Sequence, residues 1–141
     1  KVLLVEDDST TRGVLARRLA GRGFQVVEVE DGLGAEAAVL AEQPDVVLLD
    51  LSLPGKDGWT LAAAFKAEPA TRRIPVIGLT AHAMPGDRER ALQAGCDEYE
   101  SKPVDFPRLL YKLDVMLGGA AVAAEGAAAL PAGELAGTAG D

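Results

Sequence analysis

Acidic, hydroxyl and basic side chains stand directly after four short runs of this sequence. In chain order they are Glu6, Asp7, Asp8, Asp50, Thr80, Ser101 and Lys102. Carboxylates that lie close together repel one another, so they either raise a pKa or bind a cation. Oxygen ligands alone favour a hard ion, and a shallow site of carboxylates and water suits Mg²⁺. A hydroxyl and an ammonium beside such a site suit a phosphoryl group, and a strand-end aspartate suits the role of nucleophile.

Five short runs predict the strands that would bring these side chains together. In chain order they are Val2–Val5, Gln25–Val29, Val46–Leu49, Val76–Leu79 and, weakly, Asp97–Glu100. Continuous runs of Val and Leu are typical of strands that are covered on both faces, as in a parallel sheet. Their alternation with helical patterns predicts a (βα)5 α/β fold, with right-handed crossovers and helices on both faces of an open sheet.

The strand order decides where a ligand would bind. Open α/β sheets bind ligands beyond the carboxyl ends of their strands, at the point where the strand order reverses. In the common doubly wound, flavodoxin-like order 2-1-3-4-5, the first and third strands are neighbours at that point. The acids after the first strand would then meet Asp50 in one crevice, with Thr80 and Lys102 on its other side.

Helical spacing connects the predicted strands, and two apolar stripes stand out. Their residues are Leu33, Ala37, Leu40 and Ala41 in the first, and Phe106, Leu109, Leu110, Leu113 and Leu117 in the second. An amphipathic helix turns such a stripe toward the core. Ser9 is expected to cap the first helix, and Gly21 or Gly23 to end it.

Composition excludes several kinds of site. With one Cys and one His among 141 residues, we expect no internal disulfide, multi-cysteine zinc site or transition-metal centre. The net charge of −8 lacks the basic excess of a nucleic-acid-binding surface, and we interpret Arg12, Arg17, Arg18 and Arg22 as a solvated helix face. No apolar run approaches the roughly 20 residues that cross a bilayer. No signal peptide precedes the first strand, so we expect a cytoplasmic protein that does not contact a membrane.

The chain divides into two parts. Residues 1–117 are expected to form one domain with a single core. Of the 24 residues at positions 118–141, 16 are Ala or Gly, and so few bulky side chains cannot offset the entropy of ordering. This segment is predicted to be a disordered tail or linker. The sequence begins at Lys1 rather than at Met, and we interpret this N-terminus as a fragment boundary.

Four motifs in the first part carry a resemblance. They are Val-Glu6-Asp7-Asp8, Leu-Leu-Asp50-Leu-Ser-Leu-Pro54-Gly-Lys-Asp57-Gly58, Leu-Thr80-Ala81 and Ser-Lys102-Pro103. Together they resemble the receiver domain of bacterial two-component response regulators, the CheY-like family. The resemblance spans residues 1–117, with every motif in the family's order and at the carboxyl end of a predicted strand. Any one of the motifs alone would be a weak signal.

The resemblance implies a chemical role for the acidic residues. Asp50 would accept a phosphoryl group from the phosphohistidine of a partner, a sensor histidine kinase or a histidine phosphotransfer protein, and so form an acyl phosphate. Glu6 and Asp7 would hold Mg²⁺ together with Asp50 and the backbone carbonyl of Ser52. Because the product is a signal rather than a released metabolite, the resemblance implies a self-phosphorylating module with autodephosphorylation, not an enzyme.

The resemblance also implies a conformational switch. Thr80 and Lys102 would contact the phosphoryl oxygens, Tyr99 stands at the family's switch aromatic position, and the Lys102–Pro103 peptide bond would be cis. Phosphorylation would change the face formed by the fourth helix, the fifth strand and the fifth helix. That face would act on an output domain or target protein that the sequence does not identify, without direct binding to nucleic acid.

The sequence departs from the family's pattern at one position and is open at two others. Lys56 stands where the family often has Met, so we expect altered partner contact or loop dynamics. Ser52 and His82 occupy positions that tune the phosphoryl lifetime in this family, but the sequence does not set the direction.

Three other functions fit parts of the pattern. A phosphorylation-independent interaction module would keep the fold without the chemistry, although no member of the acid, Thr and Lys set is missing. A Mg²⁺-dependent phosphohydrolase would need a general acid–base near Asp50. The position two residues after Asp50, where a carboxylate would be expected, holds Ser52. A flavodoxin-like cofactor carrier would need a phosphate-binding loop after the first strand. This sequence has three acids there, and they would repel phosphate.

Some residues also have structural interpretations. Asp8 is typical of a helix-entry acid stabilised by the helix dipole, and packing alone would account for Tyr99. Asp57 and Gly58 are interpreted as a turn into the third helix, and Cys96 as a small buried filler.

Overall fold

The computed structural model describes residues 1–53, 58–81 and 85–117, and five strands alternate with five helices along these ranges. The strands are β1 (Val2–Val5), β2 (Val26–Val29), β3 (Val46–Asp50), β4 (Val76–Thr80) and β5 (Glu98–Ser101). The helices are α1 (Ser9–Gly21), α2 (Gly32–Glu42), α3 (Gly58–Ala67), α4 (Asp87–Ala94) and α5 (Phe106–Met116). Each strand lies within one residue of the run that predicted it. Lys56, Asp57, His82 and the predicted tail, residues 118–141, lie outside the described residues.

The strands form one parallel sheet in the order β2-β1-β3-β4-β5, which confirms the predicted doubly wound topology. The three central strands are buried along their whole length, as their continuous Val and Leu runs predicted. Edge strand β5 instead carries two Glu residues and is only partly buried.

Helices cover both faces of the sheet. Side chains from α1 and α5 pack with one set of alternating strand residues, which includes Leu4 and Leu48. Helices α2, α3 and α4 pack with the opposite set, which includes Leu3 and Val47. The stripe predicted on the last helix lies in the first of these layers, with Leu117 partly buried at its end. In the described part of the chain, no helix has both the length and the apolar character that crossing a bilayer requires.

The stripe predicted on the second helix is the exposed face of α2. Leu33 is 79% exposed and Leu40 is 51% exposed, whereas the helix buries Gly32, Ala35 and Val39. Because α2 is apolar almost all the way round, hydrophobic spacing alone did not determine which face meets the sheet.

Aspartates begin three of the helices where they leave the carboxyl end of a strand. Asp8, not Ser9 as predicted, caps α1 by accepting a hydrogen bond from the Thr11 amide at 2.9 Å. Asp31 caps α2 and Asp105 caps α5 in the same way. Each carboxylate satisfies a backbone N–H that the helix leaves without an intrahelical partner.

Candidate functional site

Four of the predicted site residues lie at the carboxyl edge of the sheet. Glu6 directly follows β1 and Asp50 ends the neighbouring strand β3. Thr80 ends β4, and its carbonyl accepts a hydrogen bond from the backbone N–H of Lys102, which follows β5. The parallel register therefore brings together side chains that are up to 96 positions apart in the sequence.

Three carboxylates converge at this edge. Glu6, Asp7 and Asp50 each offer an oxygen within 4.8 Å of the others. Glu6 and Asp50 are buried, whereas Asp7 is exposed and gives the cluster a side that faces water. A set of carboxylate oxygens that is open to water on one side is the ligand chemistry of a hard divalent cation. The residues therefore fit the Mg²⁺ that the sequence predicted.

Lys102 lies against the same carboxylates. Its Nζ is 2.5 Å from Oε1 of Glu6 and 3.5 Å from Oδ2 of Asp50. Burial disfavours the charged form of Lys102, but the hydrogen bond to Glu6 and the negative charge of Asp50 outweigh it, so the Lys102 pKa lies above its ordinary value. The amine is therefore charged at neutral pH and partly offsets the repulsion among the acids.

Glu6 is the most perturbed acid of the site. The pKa of its carboxyl is raised to about 7, mainly by burial and in addition by the negative charge of Asp50. Hydrogen bonds from Lys102 and from the Asp8 amide lower the pKa but do not cancel this effect. The side chain thus changes its charge near neutral pH, in a place where a cation ligand must be deprotonated.

Both the side chain and the backbone of Asp50 contact residues that follow it in the chain. Its Oδ1 accepts a hydrogen bond from the Ser52 N–H at 2.9 Å. Gly58, the first residue of α3, packs so tightly that a Cβ atom there would lie 2.5 Å from the Asp50 carbonyl oxygen and from the Leu51 Cα. A side chain at position 58 would therefore displace the backbone that carries Asp50.

Thr80 and Tyr99 lie together beyond the carboxylates. Thr80 is buried at the end of β4, and Tyr99 of β5 projects into the layer formed by α2, α3 and α4. The Tyr99 hydroxyl is buried beside Thr80, and burial together with the charge of Asp87 on α4 raises its pKa. Tyr99 therefore connects the site edge to α4. The Lys102–Pro103 peptide bond is cis.

One residue, Arg12, differs from the role that its spacing suggested. Arg12 is not part of a solvated face, because its Nη1 donates to the Glu6 carbonyl at 2.8 Å and its Nε lies 3.4 Å from Glu28. Asp8 lies outside the carboxylate cluster and caps α1, which agrees with its interpretation as a helix-entry acid. Hydrogen bonds from Thr11 lower the Asp8 pKa. Sequence reasoning also missed the close packing of Gly58, although a glycine at a helix start was a visible signal.

The family comparison agrees with the motifs. The profile of the family described as the response regulator receiver domain matches residues 2–114. The polar-differentiation response regulator DivK of Brucella anthropi is 34% identical over 119 residues, which cover 84% of this chain and 97% of that protein. DivK of Brucella ovis is 34% identical over the same shares.

Solved structures give the same answer. The receiver domain of a sensor histidine kinase from Pseudomonas aeruginosa, solved with a magnesium ion coordinated in its active-site cleft, is 37% identical with a TM-score of 0.76, over 83% of this chain and 96% of that one. The signal receiver domain of a histidine kinase from Syntrophus aciditrophicus is 33% identical with a TM-score of 0.77, over 84% and 90%. With the profile covering most of its length and the acids, Thr80 and Lys102 at the expected strand ends, this chain belongs to the response regulator receiver domains of two-component signalling.

Proposed function

We propose that this chain is a phosphoacceptor switch whose Asp50 takes a phosphoryl group from a phosphohistidine of a histidine kinase or a histidine phosphotransfer protein. The position of Asp50 carries the proposal. It is a buried carboxylate at a strand end, within 4.8 Å of two further carboxylates and 3.5 Å from an ammonium. A carboxylate so placed is a nucleophile with countercharge beside it.

The chemistry needs one bond to form and one to break. An oxygen of Asp50 attacks the phosphorus, the P–N bond to the donor imidazole breaks, and the imidazole takes up a proton from solvent. The ammonium of Lys102, already in contact with Glu6, lies close enough to Asp50 to neutralise an oxygen of the arriving phosphoryl group. The Thr80 hydroxyl donates a hydrogen bond to another. Later hydrolysis of the acyl phosphate by water restores Asp50.

The proposed Mg²⁺ ligands are the side chains of Glu6, Asp7 and Asp50 and the backbone carbonyl of Ser52. The convergence of the three carboxylates at the sheet edge, with Asp7 exposed to water, and the all-oxygen donor set support this assignment. When bound, the ion supplies positive charge that stabilises the charge on the transferring phosphoryl oxygens. The Pseudomonas aeruginosa receiver domain was solved with magnesium in its cleft.

Tyr99 is proposed to carry the signal to the surface. A phosphoryl group that engages Thr80 draws the end of β4 toward Asp50, and Tyr99 follows because its hydroxyl is buried beside Thr80. The face of α4, β5 and α5 then changes, which is a local electrostatic event that biases a two-state surface. The output domain or target that reads this face is not part of the proposal.

The proposal also covers the setting of the domain. Residues 1–117 form the phosphoacceptor domain, and residues 118–141 serve as a tail or linker, as their Ala and Gly content supports. The phosphodonor domains it would meet are expected in the cytoplasm, so we expect this chain there too.

Intact mass spectrometry after incubation with acetyl phosphate tests the proposal. We expect a single phosphoryl adduct that requires Mg²⁺, is removed by hydroxylamine as an acyl phosphate, and is absent from Asp50→Asn. The matched control is Asp45→Asn, which changes an exposed aspartate near the opposite end of β3 and should leave the adduct intact. An adduct in Asp50→Asn would overturn the assignment of the nucleophile. No adduct in any variant would favour the phosphorylation-independent module.

A further inference from the structure

A turn of only three residues carries two of the proposed Mg²⁺ ligands. Glu6, Asp7 and Asp8 connect the end of β1 to the start of α1. Glu6 and Asp7 each have a carboxylate oxygen within 4.8 Å of one from Asp50. Because like charges this close repel one another, the turn requires contacts that hold it beside Asp50.

Arg12 makes one of these contacts. It lies in the first turn of α1, where its backbone N–H donates to the Asp8 carbonyl at 2.9 Å. Side chains on a helix lean toward its N-terminus, so the Arg12 guanidinium reaches back over the turn. There its Nη1 donates a hydrogen bond to the Glu6 carbonyl at 2.8 Å. Glu6 is buried, so this carbonyl would be costly to leave without a donor.

Glu28 holds the same guanidinium from the neighbouring strand. The Nε of Arg12 lies 3.4 Å from Oε1 of Glu28, which belongs to β2, the strand that pairs with β1. A guanidinium presents its donors in a fixed planar fork, so the contact with Glu28 directs Nη1 toward the Glu6 carbonyl. Glu28 also offsets the positive charge of Arg12, which would otherwise oppose a cation nearby. Arg12 therefore acts on the turn through geometry.

The carboxylate of Glu6 depends on the shape of the same turn. Its Oε2 accepts a hydrogen bond from the Asp8 N–H at 3.1 Å, and its Oε1 lies 2.5 Å from Lys102 Nζ. Arg12 on the carbonyl and Asp8 on the side chain thus hold Glu6 from the start of α1. Groups that orient metal ligands in this way matter for binding, because their loss typically lowers metal affinity about 10- to 100-fold.

We propose that Arg12 is a positioning residue for the divalent ion. By holding the Glu6 carbonyl, it keeps Glu6 and Asp7 beside Asp50 in spite of the repulsion among the three carboxylates. Arg12 itself is not a ligand. It has this role only if the site takes Mg²⁺, so the inference rests on the proposed function and assigns a residue outside the carboxylate cluster to the same site.

Calorimetric titration of the full chain with MgCl₂ is the test. We expect Arg12→Ala to bind Mg²⁺ about tenfold more weakly than the wild type. Arg12→Met keeps the aliphatic stem but donates no hydrogen bond, and it should show the same loss. Glu28→Gln should stay within about twofold of the wild type, because its amide oxygen still accepts from Nε. Without Mg²⁺, the Asp8 amide should exchange faster in Arg12→Ala, since its acceptor on Glu6 is held less firmly.

The rate of adduct formation from acetyl phosphate separates ion binding from chemistry. Arg12→Ala should raise the Mg²⁺ concentration for half-maximal rate about tenfold and leave the rate at saturating Mg²⁺ unchanged. Asp97→Ala is the control for lost stability, because Asp97 binds the Val76 amide at the start of β4, the opposite end of the sheet from the carboxylates. It should bind Mg²⁺ as the wild type does.

Several results would overturn the role of Arg12. Wild-type affinity in Arg12→Ala or Arg12→Met would show that the turn needs no such support. An equal loss in Asp97→Ala would show that general destabilisation weakens the site. Tighter binding in Arg12→Ala together with weaker binding in Glu28→Gln would show that the guanidinium acts by charge.

Two outcomes separate this inference from the proposed function. A wild-type chain that binds Mg²⁺ in an Arg12-dependent way but forms no adduct would refute phosphoryl transfer to Asp50 and leave the role of Arg12 in place. An adduct on Asp50 from a chain that binds no Mg²⁺ would do the reverse.

Discussion

The Lys102 ammonium lies 2.5 Å from the carboxylate of Glu6, a residue 96 positions earlier in the chain. The contact joins the segment after β5 to the end of β1, across the two strands that lie between them. Because Glu6 is buried and its pKa is raised to about 7, this ion pair depends on pH in the neutral range. The net charge of the site, which also contains Asp7 and Asp50, therefore changes with pH through Glu6.

This balance predicts how Mg²⁺ binding depends on pH. A carboxyl must be deprotonated to bind a metal ion, and a pKa of about 7 leaves Glu6 largely protonated at pH 6 and largely ionised at pH 8. We expect the Mg²⁺ affinity, measured by calorimetric titration, to rise about tenfold between these values and to level off above them.

Two variants sharpen that titration. Glu6→Gln should bind more weakly and lose the pH dependence. Asp8→Asn should keep it, because the Asp8 carboxyl caps α1 and its pKa is lowered rather than raised. An affinity that is flat from pH 6 to pH 8 in the wild type would contradict the role of Glu6 as a ligand.

The close packing of Gly58 predicts a loss of both stability and phosphorylation. A Cβ atom at this position would lie 2.5 Å from backbone atoms of Asp50 and Leu51, so the start of α3 or the end of β3 must move. We expect Gly58→Ala to lower the free energy of unfolding by about 1–3 kcal/mol in urea titrations. It should also reduce the yield of the phosphoryl adduct.

Gly13 supplies the matched control. It lies inside α1, where a Cβ would meet only the flexible end of Arg17, at 3.5 Å. Gly13→Ala should raise stability by about 0.5–1 kcal/mol, since Ala is the better helix former. If Gly58→Ala and Gly13→Ala changed the free energy of unfolding equally, the close packing of Gly58 against the Asp50 backbone would not matter for stability.

Much of this architecture could be predicted from the sequence. The Val and Leu runs of β1, β3 and β4 indicated buried strands, and the polar residues after them indicated which edge of the sheet carries the chemistry. Such features are local, because a strand covered on both faces requires a continuous apolar run wherever it lies. The convergence of Glu6, Asp50 and Lys102 follows from the strand order alone.

The orientation of α2 and the ion pairs around β5 depend on tertiary contacts, which a local sequence pattern does not reveal. The stripe of Leu33 and Leu40 has helical spacing, yet it faces water because the other side of α2 is apolar as well. Asp97 and Glu100 were expected only as parts of a weak strand. In the structure Asp97 pairs with Lys66 of the distant helix α3, and Glu100 pairs with Lys112 of the following helix α5.

The hydrogen bonds of Asp97 are predicted to stabilise the start of β4. Its Oδ2 accepts hydrogen bonds from the Val76 amide and from Lys66 Nζ, each at 2.8 Å. The same Nζ donates to the carbonyl of Ile74 at 2.9 Å. We expect Asp97→Ala to cost about 1–2 kcal/mol in urea titrations, because it leaves a strand N–H without its acceptor.

Two further variants separate the hydrogen bond from the charge. Asp97→Asn keeps an acceptor for Val76 and should cost less than Asp97→Ala. Asp45→Ala removes an ion pair whose carboxylate is 64% exposed, and should change stability by less than about 0.5 kcal/mol. If Asp97→Ala lowers the free energy of unfolding as little as Asp45→Ala does, the hydrogen bonds of Asp97 do not stabilise the fold.

A buried ion pair attaches α5 to edge strand β5. The Glu100 side chain is 2% exposed, and its carboxylate lies 2.5 Å from Lys112 Nζ and 3.7 Å from Arg108. Its neighbour in register is the apolar Leu79 of β4. Removing one partner of a buried pair leaves the other charge without compensation, so we expect Glu100→Ala to cost about 2–3 kcal/mol.

Replacing both partners gives the sharper result. Glu100→Leu combined with Lys112→Leu fills the same space with apolar side chains, and buried pairs replaced in this way are often neutral or stabilising. We therefore expect the double variant to unfold within about 1 kcal/mol of the wild type, whereas each single Leu variant is less stable. Glu42→Ala, which loses a partly exposed ion pair with Lys1, serves as the control and should cost under about 1 kcal/mol. A double variant as unstable as the sum of the single ones would show that the two charges act independently, and that α5 is held by its apolar face alone.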